Sequence, residues 1–335
     1  MPEGFTLVLL VVLGLAIAFD YINGFHDTAN AIATSVSTRA LKPGWAIAMS
    51  ATANFVGALT GTAVAQTVGS GLVDIRPDVD GQVVIAAALV GAIFWNLLTW
   101  RLGIPSSSSH ALIGGLLGAT LAAAGLGAWQ MDGIIEKVLV PLIGSPVIGF
   151  LLGLALMIVI FNVFRHAHPV RLNAVFRRLQ VVSAGYMAFS HGSNDAQKTM
   201  GIMTLALVTA GVIDTFEVPL WVILAAATAI SLGTAAGGWR IIKTMGTKVV
   251  KLDPVHGFAA ETTAATIIFG ATQLGMPVST THVISSAIMG VGSSDRLKTV
   301  RWGVARSIVV AWVLTLPASG ATAALAYVVL KPILG

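Results

Sequence analysis

The chain has 335 residues, of which 56% are hydrophobic and only 10% are charged. An ordinary soluble domain carries about 25% charged residues, so this composition indicates an integral membrane protein. The absence of cysteine excludes disulfides, thiol catalysis and thiolate metal sites, and the net charge of +5 lies mostly in short loops, which argues against a nucleic-acid footprint.

Ten apolar stretches follow one another along the chain, and one bilayer crossing takes about 20 such residues. They cover residues 5–37, 43–67, 83–100, 111–125, 138–164, 181–213, 218–239, 257–274, 283–293 and 304–330. Residues 5–37 and 181–213 are too long for one straight crossing, so we expect broken helices or a helix followed by a re-entrant segment. Residues 111–125 and 283–293 are short, and we expect half-helices or arms of re-entrant hairpins.

Two polar motifs interrupt these stretches, and each of them occurs twice. Residues 23–30 read NGFHDTAN and residues 191–198 read HGSNDAQK, whereas residues 103–110 read GIPSSSSH and residues 275–282 read GMPVSTTH. Polar breaks at matching positions of two halves are a strong sequence indication of a transporter's binding site. The sequence therefore predicts two homologous membrane halves, residues 1–164 and 181–335, joined by a short basic cytoplasmic linker at 165–180.

The loop charges predict how the halves are oriented, because basic loops remain in the cytoplasm. Basic loops follow the first, fifth, seventh and ninth stretches and hold Arg39, Lys42, Arg165, Arg171, Arg177, Arg178, Arg240, Lys243, Lys248, Lys251, Arg296, Lys298 and Arg301. Acidic loops alternate with them and hold Asp74, Asp78, Asp80, Asp132, Glu136, Asp214 and Glu217. Ten crossings would place both termini outside and the matching points of the halves five crossings apart. We therefore expect an all-α membrane protein of two inverted-topology repeats with about 10–12 membrane segments.

The first motif pair has the chemistry of a cation site. An ionised carboxylate at mid-membrane costs several kcal/mol unless it meets a partner or water. Asp27 and Asp195 stand among Asn, Thr, Ser and Gln side chains, beside Gly24 and Gly192. Such oxygens suit Na⁺, and the acid itself could carry a proton. The alternative is a polar packing cluster between helices.

The second motif pair has the chemistry of an anion site. Pro105 and Pro277 break the preceding helix, and Ser and Thr are strong N-caps for the helix that follows. A helix N-terminus offers free N–H groups and a positive dipole end, so two of them could hold a tetrahedral oxyanion from both sides. The alternative is plain capping at a proline kink. His110 and His282 are either ligands or hydrogen-bond neighbours.

These residues resemble the PiT family of inorganic phosphate transporters, most of all its bacterial low-affinity branch. The likeness covers the whole chain and rests on GFHDTANA at 24–31, GSNDAQK at 192–198 and the Pro-x-Ser-[Ser/Thr]-[Ser/Thr]-His motifs at 105–110 and 277–282. The resemblance implies inorganic phosphate as substrate, inverted repeats, symport with Na⁺ or H⁺, and commonly a homodimer. Some similar proteins carry sulfate, and some bacterial ones move neutral metal–phosphate complexes, which makes a divalent metal bound to phosphate a further alternative.

The motif positions of the resemblance also imply roles for individual residues. The cation ligands it implies are Asp27, Asn30, Asn194 and Asp195, and we add Asn23 and Thr28. The phosphate contacts it implies are Ser107, Ser108, Ser279, Thr280 and Thr281, and we add Ser106, Ser109, Gln197 and Lys198. Candidates for a proton-carrying or auxiliary role are His110, His282 and Glu261.

Lys198 breaks the symmetry of the motifs, because the matching residue of the first half is Asn30. We expect its ammonium group to fill the charge space of a second cation or to pair with Asp195. Either arrangement favours proton coupling or a single Na⁺ over two equivalent Na⁺ sites. The alternative is a lysine that extends to the membrane interface.

The sequence therefore favours a multi-pass symporter of the cell membrane that imports phosphate with Na⁺ or H⁺ by alternating access, with no resident cofactor. A phosphate or sulfate channel lined by Ser and Thr donors, or a sulfate permease, is the alternative. A membrane enzyme fits least, because no triad partner accompanies His110 or His282. The sequence has no Walker motif that would support ATP-driven transport.

Overall fold

The computed structural model describes residues 3–294 and 297–334, and helices dominate this part of the chain. Arg296, one of the basic residues that predict the orientation, lies outside the described residues. The helices are α1 (Glu3–Ser37), α2 (Pro43–Ala58), α3 (Ala63–Ser70), α4 (Val79–Leu102), α5 (Ser108–Ala124), α6 (Met131–Ile134), α7 (Val140–Val163), α8 (Pro169–Thr209), α9 (Leu220–Ala236), α10 (Trp239–Lys243), α11 (Pro254–Gln273), α12 (Thr280–Ser293) and α13 (Trp302–Leu334). One π-helical turn, Ile135–Leu139, joins α6 to α7, and another, Thr244–Lys248, extends α10.

The order of elements is the same in the two halves. Each half has a long helix, a bent pair, a helix of 20 to 24 residues, a short helix and a long apolar helix. The bend is 72° between α2 and α3, and 60° between α9 and α10 with its π turn. Matching elements also exchange partners between the halves, because α5 packs against α13 while α12 packs against α7, and α2 packs against α8 while α1 packs against α9.

The long stretches that carry the Asp motifs are not broken, and that expectation is wrong. α1 and α8 are uninterrupted helices, and residues 169–180 of the predicted linker are the first turns of α8. The motif glycines serve close packing instead. A Cβ atom on Gly24 would lie 2.1 Å from the carbonyl oxygen of Ile230, and one on Gly192 would lie 2.2 Å from that of Asn54. The short helices α5 and α12 begin inside the Pro-Ser motifs, as expected.

Helices α1 and α8 lie against each other and run in opposite directions. Thr38, directly after α1, donates a 2.7 Å hydrogen bond to Oε1 of Gln180, early in α8. Eleven residues earlier, Asp27 lies beside His191 and Asp195, which come later in α8. Residues later in α1 therefore contact residues earlier in α8, as in an antiparallel helix pair. The two Asp motifs meet near the middle of this pair.

Length and composition identify four helices that could cross a membrane, and the two bent pairs raise the number to six among the described residues. The four are Leu7–Ser37, Val79–Leu102, Met131–Val163 and Trp302–Leu334. α8 is not among them, because the polar residues that it buries lower its mean hydropathy. Some of the ten apolar stretches therefore lie in helices that are not long and apolar enough to cross a membrane by this criterion. These helices are buried by packing against their neighbours.

We expect Gly57→Ala to destabilise the protein. A Cβ atom there would lie 2.1 Å from the carbonyl oxygen of Phe189, and neither backbone can yield without moving a whole helix. Overpacking of this kind costs about 1–3 kcal/mol. A lower midpoint of thermal unfolding in detergent would show it. Gly14→Ala is the matched control, since a Cβ atom there has no described atom within 4 Å. Equal midpoints for the two variants would contradict the packing.

Candidate functional site

The duplicated acids meet where α1 crosses α8. A carboxylate oxygen of Asp27, a carboxylate oxygen of Asp195 and a ring nitrogen of His191 all lie within 4.8 Å of one another. Asp27 is 2% exposed, and the other two side chains are fully buried. The set has the dimensions and donor atoms of a cation site. His191 has no role in the sequence prediction, although its position four residues before Asp195 puts both on one helix face.

Lys198 is the positive charge of this centre. Its ammonium group pairs with Asp195, one helical turn earlier, and donates to Oγ of Ser109 at 2.5 Å and to the carbonyl oxygen of Val278 at 3.1 Å. Lys198 is 1% exposed, so it does not extend to an interface. The lysine therefore connects the second Asp motif to both Pro-Ser motifs.

Asp195 has two further partners. Oγ1 of Thr280 donates to its Oδ2 at 3.2 Å, and Nε2 of His191 lies 3.0 Å from the same oxygen. Asn54 donates to Oγ1 of Thr234 at 2.8 Å, so its Oδ1 is the atom 3.0 Å from Nδ1 of His191, and that Nδ1 must carry the hydrogen. Without a hydrogen, Nε2 of His191 would face a carboxylate oxygen of Asp195, and both atoms are hydrogen-bond acceptors. A proton on Nε2, or a cation bound between the two atoms, would remove this repulsion.

The first Asp motif is tied to the first Pro-Ser motif through His26. Nδ1 of His26 lies 2.6 Å from Oδ1 of Asp27, and its Nε2 lies 3.2 Å from Oγ1 of Thr99. Oγ of Ser106 lies 3.4 Å from Nε2 and donates to Thr99 at 2.8 Å, while Oγ of Ser108 lies 3.5 Å from Nδ1. His26 thus holds Asp27 in place and connects it to the start of α5.

The first Asp motif also reaches the second Pro-Ser motif. Nδ2 of Asn30 donates to Oγ1 of Thr281 at 2.9 Å and to Oγ1 of Thr280 at 3.2 Å. Since Thr280 in turn donates to Asp195, one hydroxyl stands between the two Asp motifs. All four motifs therefore belong to one buried hydrogen-bond network.

Both Pro-Ser motifs cap a helix. Oγ of Ser107 accepts from the backbone N–H of His110 at 3.1 Å, and Oγ of Ser279 accepts from that of His282 at 3.2 Å. Capping leaves the hydroxyl hydrogens of Ser107 and Ser279 available, because a hydroxyl that accepts one hydrogen bond can still donate one to an anion. The rings of His110 and His282 meet with centroids 4.7 Å apart, so the starts of α5 and α12 are neighbours.

Several predicted site residues form hydrogen bonds within their own helix or with neighbouring segments instead. Thr28 donates to the carbonyl oxygen of Gly24 at 2.7 Å, and Asn194 donates to Thr272 at 2.8 Å and to the carbonyl oxygen of Met276 at 3.2 Å. Gln197 accepts from the backbone N–H of Val64 at 2.8 Å, at the start of α3.

Glu261 belongs to another cluster, towards the end of α1. It accepts from Thr34, from Oγ of Ser183 at 2.5 Å and from Nε2 of Gln180 at 3.2 Å. Three donors from two helices therefore satisfy this buried carboxyl group. Of the remaining predicted residues, Asn23 is 1% exposed, and its Oδ1 has no hydrogen-bond partner among the described residues.

Comparison with known proteins gives consistent matches. A model of the phosphate transporter family matches residues 23–323. A "Probable low-affinity inorganic phosphate transporter" of Bacillus subtilis is 53% identical over 328 residues, 98% of each chain, and one of Rhizobium meliloti is 49% identical over 322 residues, 96% of each chain. A solved structure described as "The sodium-dependent phosphate transporter" matches with a TM-score of 0.90 and 28% identity, over 97% of this chain and 99% of that one.

We expect Lys198→Met to destabilise the protein by about 3–5 kcal/mol, because it leaves the buried Asp195 carboxylate without its ammonium partner. Lys198→Met with Asp195→Asn should recover most of that loss, since no unpaired charge remains. The free energy of unfolding in mixed micelles measures both. Lys331→Met is the control, because Lys331 forms an exposed 3.3 Å ion pair with Asp80, and such pairs contribute about 0–1 kcal/mol. Additive losses in the double variant would contradict the pairing.

Proposed function

Because this chain belongs to the phosphate transporter family, we propose that it is a secondary active symporter that imports inorganic phosphate together with a cation by alternating access. The chain is a membrane protein, and the function of its family is transport and not catalysis. The observation that carries the proposal is the single hydrogen-bond network of the duplicated acids and the duplicated helix N-termini. A cation and an anion bound there would each lower the cost of burying the other.

The cation would bind at the acid pair. Asp27, Asp195 and His191 offer ligand atoms within 4.8 Å of one another, and Asn30 stands beside them. Lys198 already neutralises one carboxylate, which leaves room for a single coupling cation and not two. An imidazole nitrogen in the set favours a proton, or a divalent metal that travels with phosphate, over Na⁺, which prefers oxygen ligands.

Phosphate would bind between the starts of α5 and α12. The capping hydroxyls of Ser107 and Ser279 lie there, with free backbone N–H groups and the positive ends of two helices. Ser108, Ser109, Thr280 and Thr281 add hydroxyl donors on the same first turns. Lys198 supplies a positive charge, because its ammonium group already contacts Ser109 and the carbonyl oxygen of Val278.

The shared residues provide the coupling. Thr280 donates to Asp195 and accepts from Asn30, so a phosphate that recruits this hydroxyl frees an oxygen of the cation site. Binding at each site then changes the affinity of the other by the same factor, as linkage requires. A channel lined by the same hydroxyls would have no need of the buried acids.

Alternating access would follow from inverted repeats. The duplicated order of elements, the exchange of partners between the halves and the opposite directions of α1 and α8 support this arrangement. The loop charges favour both termini outside the cell membrane. The homodimer implied by the family resemblance remains a prediction, which cross-linking in native membranes would test.

We expect Asp27→Asn and Asp195→Asn to abolish accumulation of phosphate while the protein remains folded, because Asp27 supplies the negative charge that balances the cation and Asp195 supplies a carboxylate oxygen to its site. Uptake of labelled phosphate into proteoliposomes under imposed Na⁺ or H⁺ gradients, with sulfate as competitor, measures this. Asp132→Asn is the control, since Asp132 is exposed near the start of α6. Normal uptake by either variant would remove that residue from the cation site. Wild-type protein that never concentrates phosphate inside the vesicles above the external concentration would be identified as a channel.

We expect Lys198→Asn to change the Na⁺ dependence of uptake. The substitution restores the residue type of the first half and opens space for a second cation. Uptake measured across a range of Na⁺ concentrations should become more steeply dependent on Na⁺ than in the wild type. An unchanged dependence would show that the lysine does not occupy a cation position.

A further inference from the structure

The turns that lead into the two Pro-Ser motifs have the same backbone geometry. Gly103 and Gly275 both adopt the left-handed region, with φ angles of 67° and 65°, where a side chain would be strained. Pro105 and Pro277 stand two residues later, and the starts of α5 and α12 follow. The carbonyl oxygen of each glycine lies beyond the end of the preceding helix, so it needs a partner from another segment.

A threonine from the other half supplies that partner in each case. Oγ1 of Thr244, in the π turn after α10, donates to the carbonyl oxygen of Gly103 at 3.0 Å. Oγ1 of Thr67, in α3, donates to the carbonyl oxygen of Gly275 at 2.7 Å. Both threonines lie on the short arm of a bent pair, so the two contacts occupy matching positions in the two halves. We call these two contacts the latches.

Each short arm is interlocked with a long helix of the other half. A Cβ atom on Gly201 of α8 would lie 2.6 Å from the carbonyl oxygen of Ala65 in α3. One on Gly246, in the π turn after α10, would lie 2.6 Å from the carbonyl oxygen of Ala33 in α1. Each short arm must therefore move with the long helix that carries an Asp motif. Each latch joins such a unit to the turn before α5 or α12.

Each threonine hydroxyl also has a more distant acceptor on its own helix. Oγ1 of Thr67 lies 3.5 Å from the carbonyl oxygen of Ala63, and Oγ1 of Thr244 lies 3.4 Å from that of Arg240. Threonine in a helix commonly donates to this carbonyl group, four residues earlier. When a latch opens, the hydroxyl can keep a partner, and water that enters can hydrate the glycine carbonyl. A latch can therefore open without leaving a buried hydroxyl unpaired, which would be costly.

The loop charges favour opposite sides of the membrane for the two latches, because basic loops remain in the cytoplasm. α10 and its π turn carry Arg240, Lys243 and Lys248, whereas α3 is followed by Asp74 and Asp78. The latch of Thr244 therefore belongs to the cytoplasmic side and that of Thr67 to the outer side.

The centre between the latches is sealed, since residues 106–109 and 279–281 are at most 3% exposed. We propose that Thr244 and Thr67 are positioning residues that gate the centre from opposite sides, Thr244 from the cytoplasm and Thr67 from outside. Release of one latch frees the turn before one Pro-Ser motif and lets water reach the centre from that side alone. That the two latches open in turn rests on the proposed symport.

The cytoplasmic latch has a reinforcement. The guanidinium group of Arg240 donates to the carbonyl oxygen of Arg101 at 2.7 Å and lies 5.1 Å from the ring centroid of Trp100. Arg240 thus ties the short arm to the end of α4, next to the turn. Ala63 holds the corresponding position in α3, four residues before Thr67. Arg240 should therefore stabilise the closed state on the cytoplasmic side.

The test uses single thiols, because the chain has no cysteine. Ser106→Cys and Val278→Cys place a thiol at matching positions, three residues after each glycine, where the native side chains are 0% and 2% exposed. A membrane-impermeant methanethiosulfonate reagent, added to right-side-out or inside-out membrane vesicles without phosphate, measures access from one side. The labelling rate does not depend on transport.

We expect Thr244→Val to raise the cytoplasmic labelling rate at position 106 about fivefold, since one ordinary hydrogen bond shifts an equilibrium by about that factor. Thr67→Val should raise the outside rate at position 278 by a similar factor. Arg240→Met should change the cytoplasmic rate in the same direction as Thr244→Val, and it replaces that variant if the latter does not fold.

Conservative variants separate the hydrogen bond from packing. Thr244→Ser and Thr67→Ser keep the hydroxyl and should label like the parent proteins. Thr52→Val and Thr247→Val should do the same, because these two hydroxyls donate to a carbonyl group of their own helix or turn.

Unchanged rates in both valine variants, or one valine variant that raises the rate from both sides, would overturn the latches. If the wild type still concentrated phosphate in that case, the proposed symport would stand without them. If the rates changed as expected but the wild type never concentrated phosphate, the symport would be wrong and the two threonines would be the gates of a channel.

Discussion

The pairing of Lys198 with Asp195 organises the centre of this molecule. Two opposite charges lie there with almost no access to water, and in such a place a charge is tolerable only when a partner and hydrogen bonds surround it. The three donors of the ammonium group go to three different segments: a turn of α8, the start of α5 and the residue that precedes the cap of α12. A single side chain therefore sets the positions of both short helices relative to the long one.

The same constraint explains why the site is shared between the halves. Asn30 of α1 donates to hydroxyls of α12, while Lys198 of α8 donates to a hydroxyl of α5. Each long helix is thus hydrogen-bonded to the short helix of the other half. The pattern also joins a region rich in acceptors to two helix ends rich in donors, which is the electrostatic requirement for holding ions of both signs together.

Much of this could be predicted from the sequence, since the duplicated motifs are local and their chemistry is explicit. The meeting of Asp27 and Asp195 and the caps at Ser107 and Ser279 follow from motif positions. The continuity of α1 and α8 does not, because a polar residue in an apolar stretch suggests a break unless its partner on another helix is known. Gln197 is a similar case. Its partner, the backbone N–H of Val64, is 133 residues away, and no local pattern reveals it.

His191 shows the other limit of the sequence prediction. A histidine four residues before an acid has many ordinary explanations, and its importance appears only when Asp27 from α1 stands beside it.

The glycine contacts have a mechanical consequence. The backbones of α2 and α8 touch through Gly57 and Gly192, and those of α1 and α9 touch through Gly24 and Gly233, so that each helix inserts a carbonyl group into the notch left by the other's missing side chain. Notches of this kind hold the helices in register and oppose axial sliding. Any motion that exposes the centre to one side of the bilayer must then move each of these helix pairs as a rigid unit. The contacts that change during this motion are those made by side chains, elsewhere in the molecule.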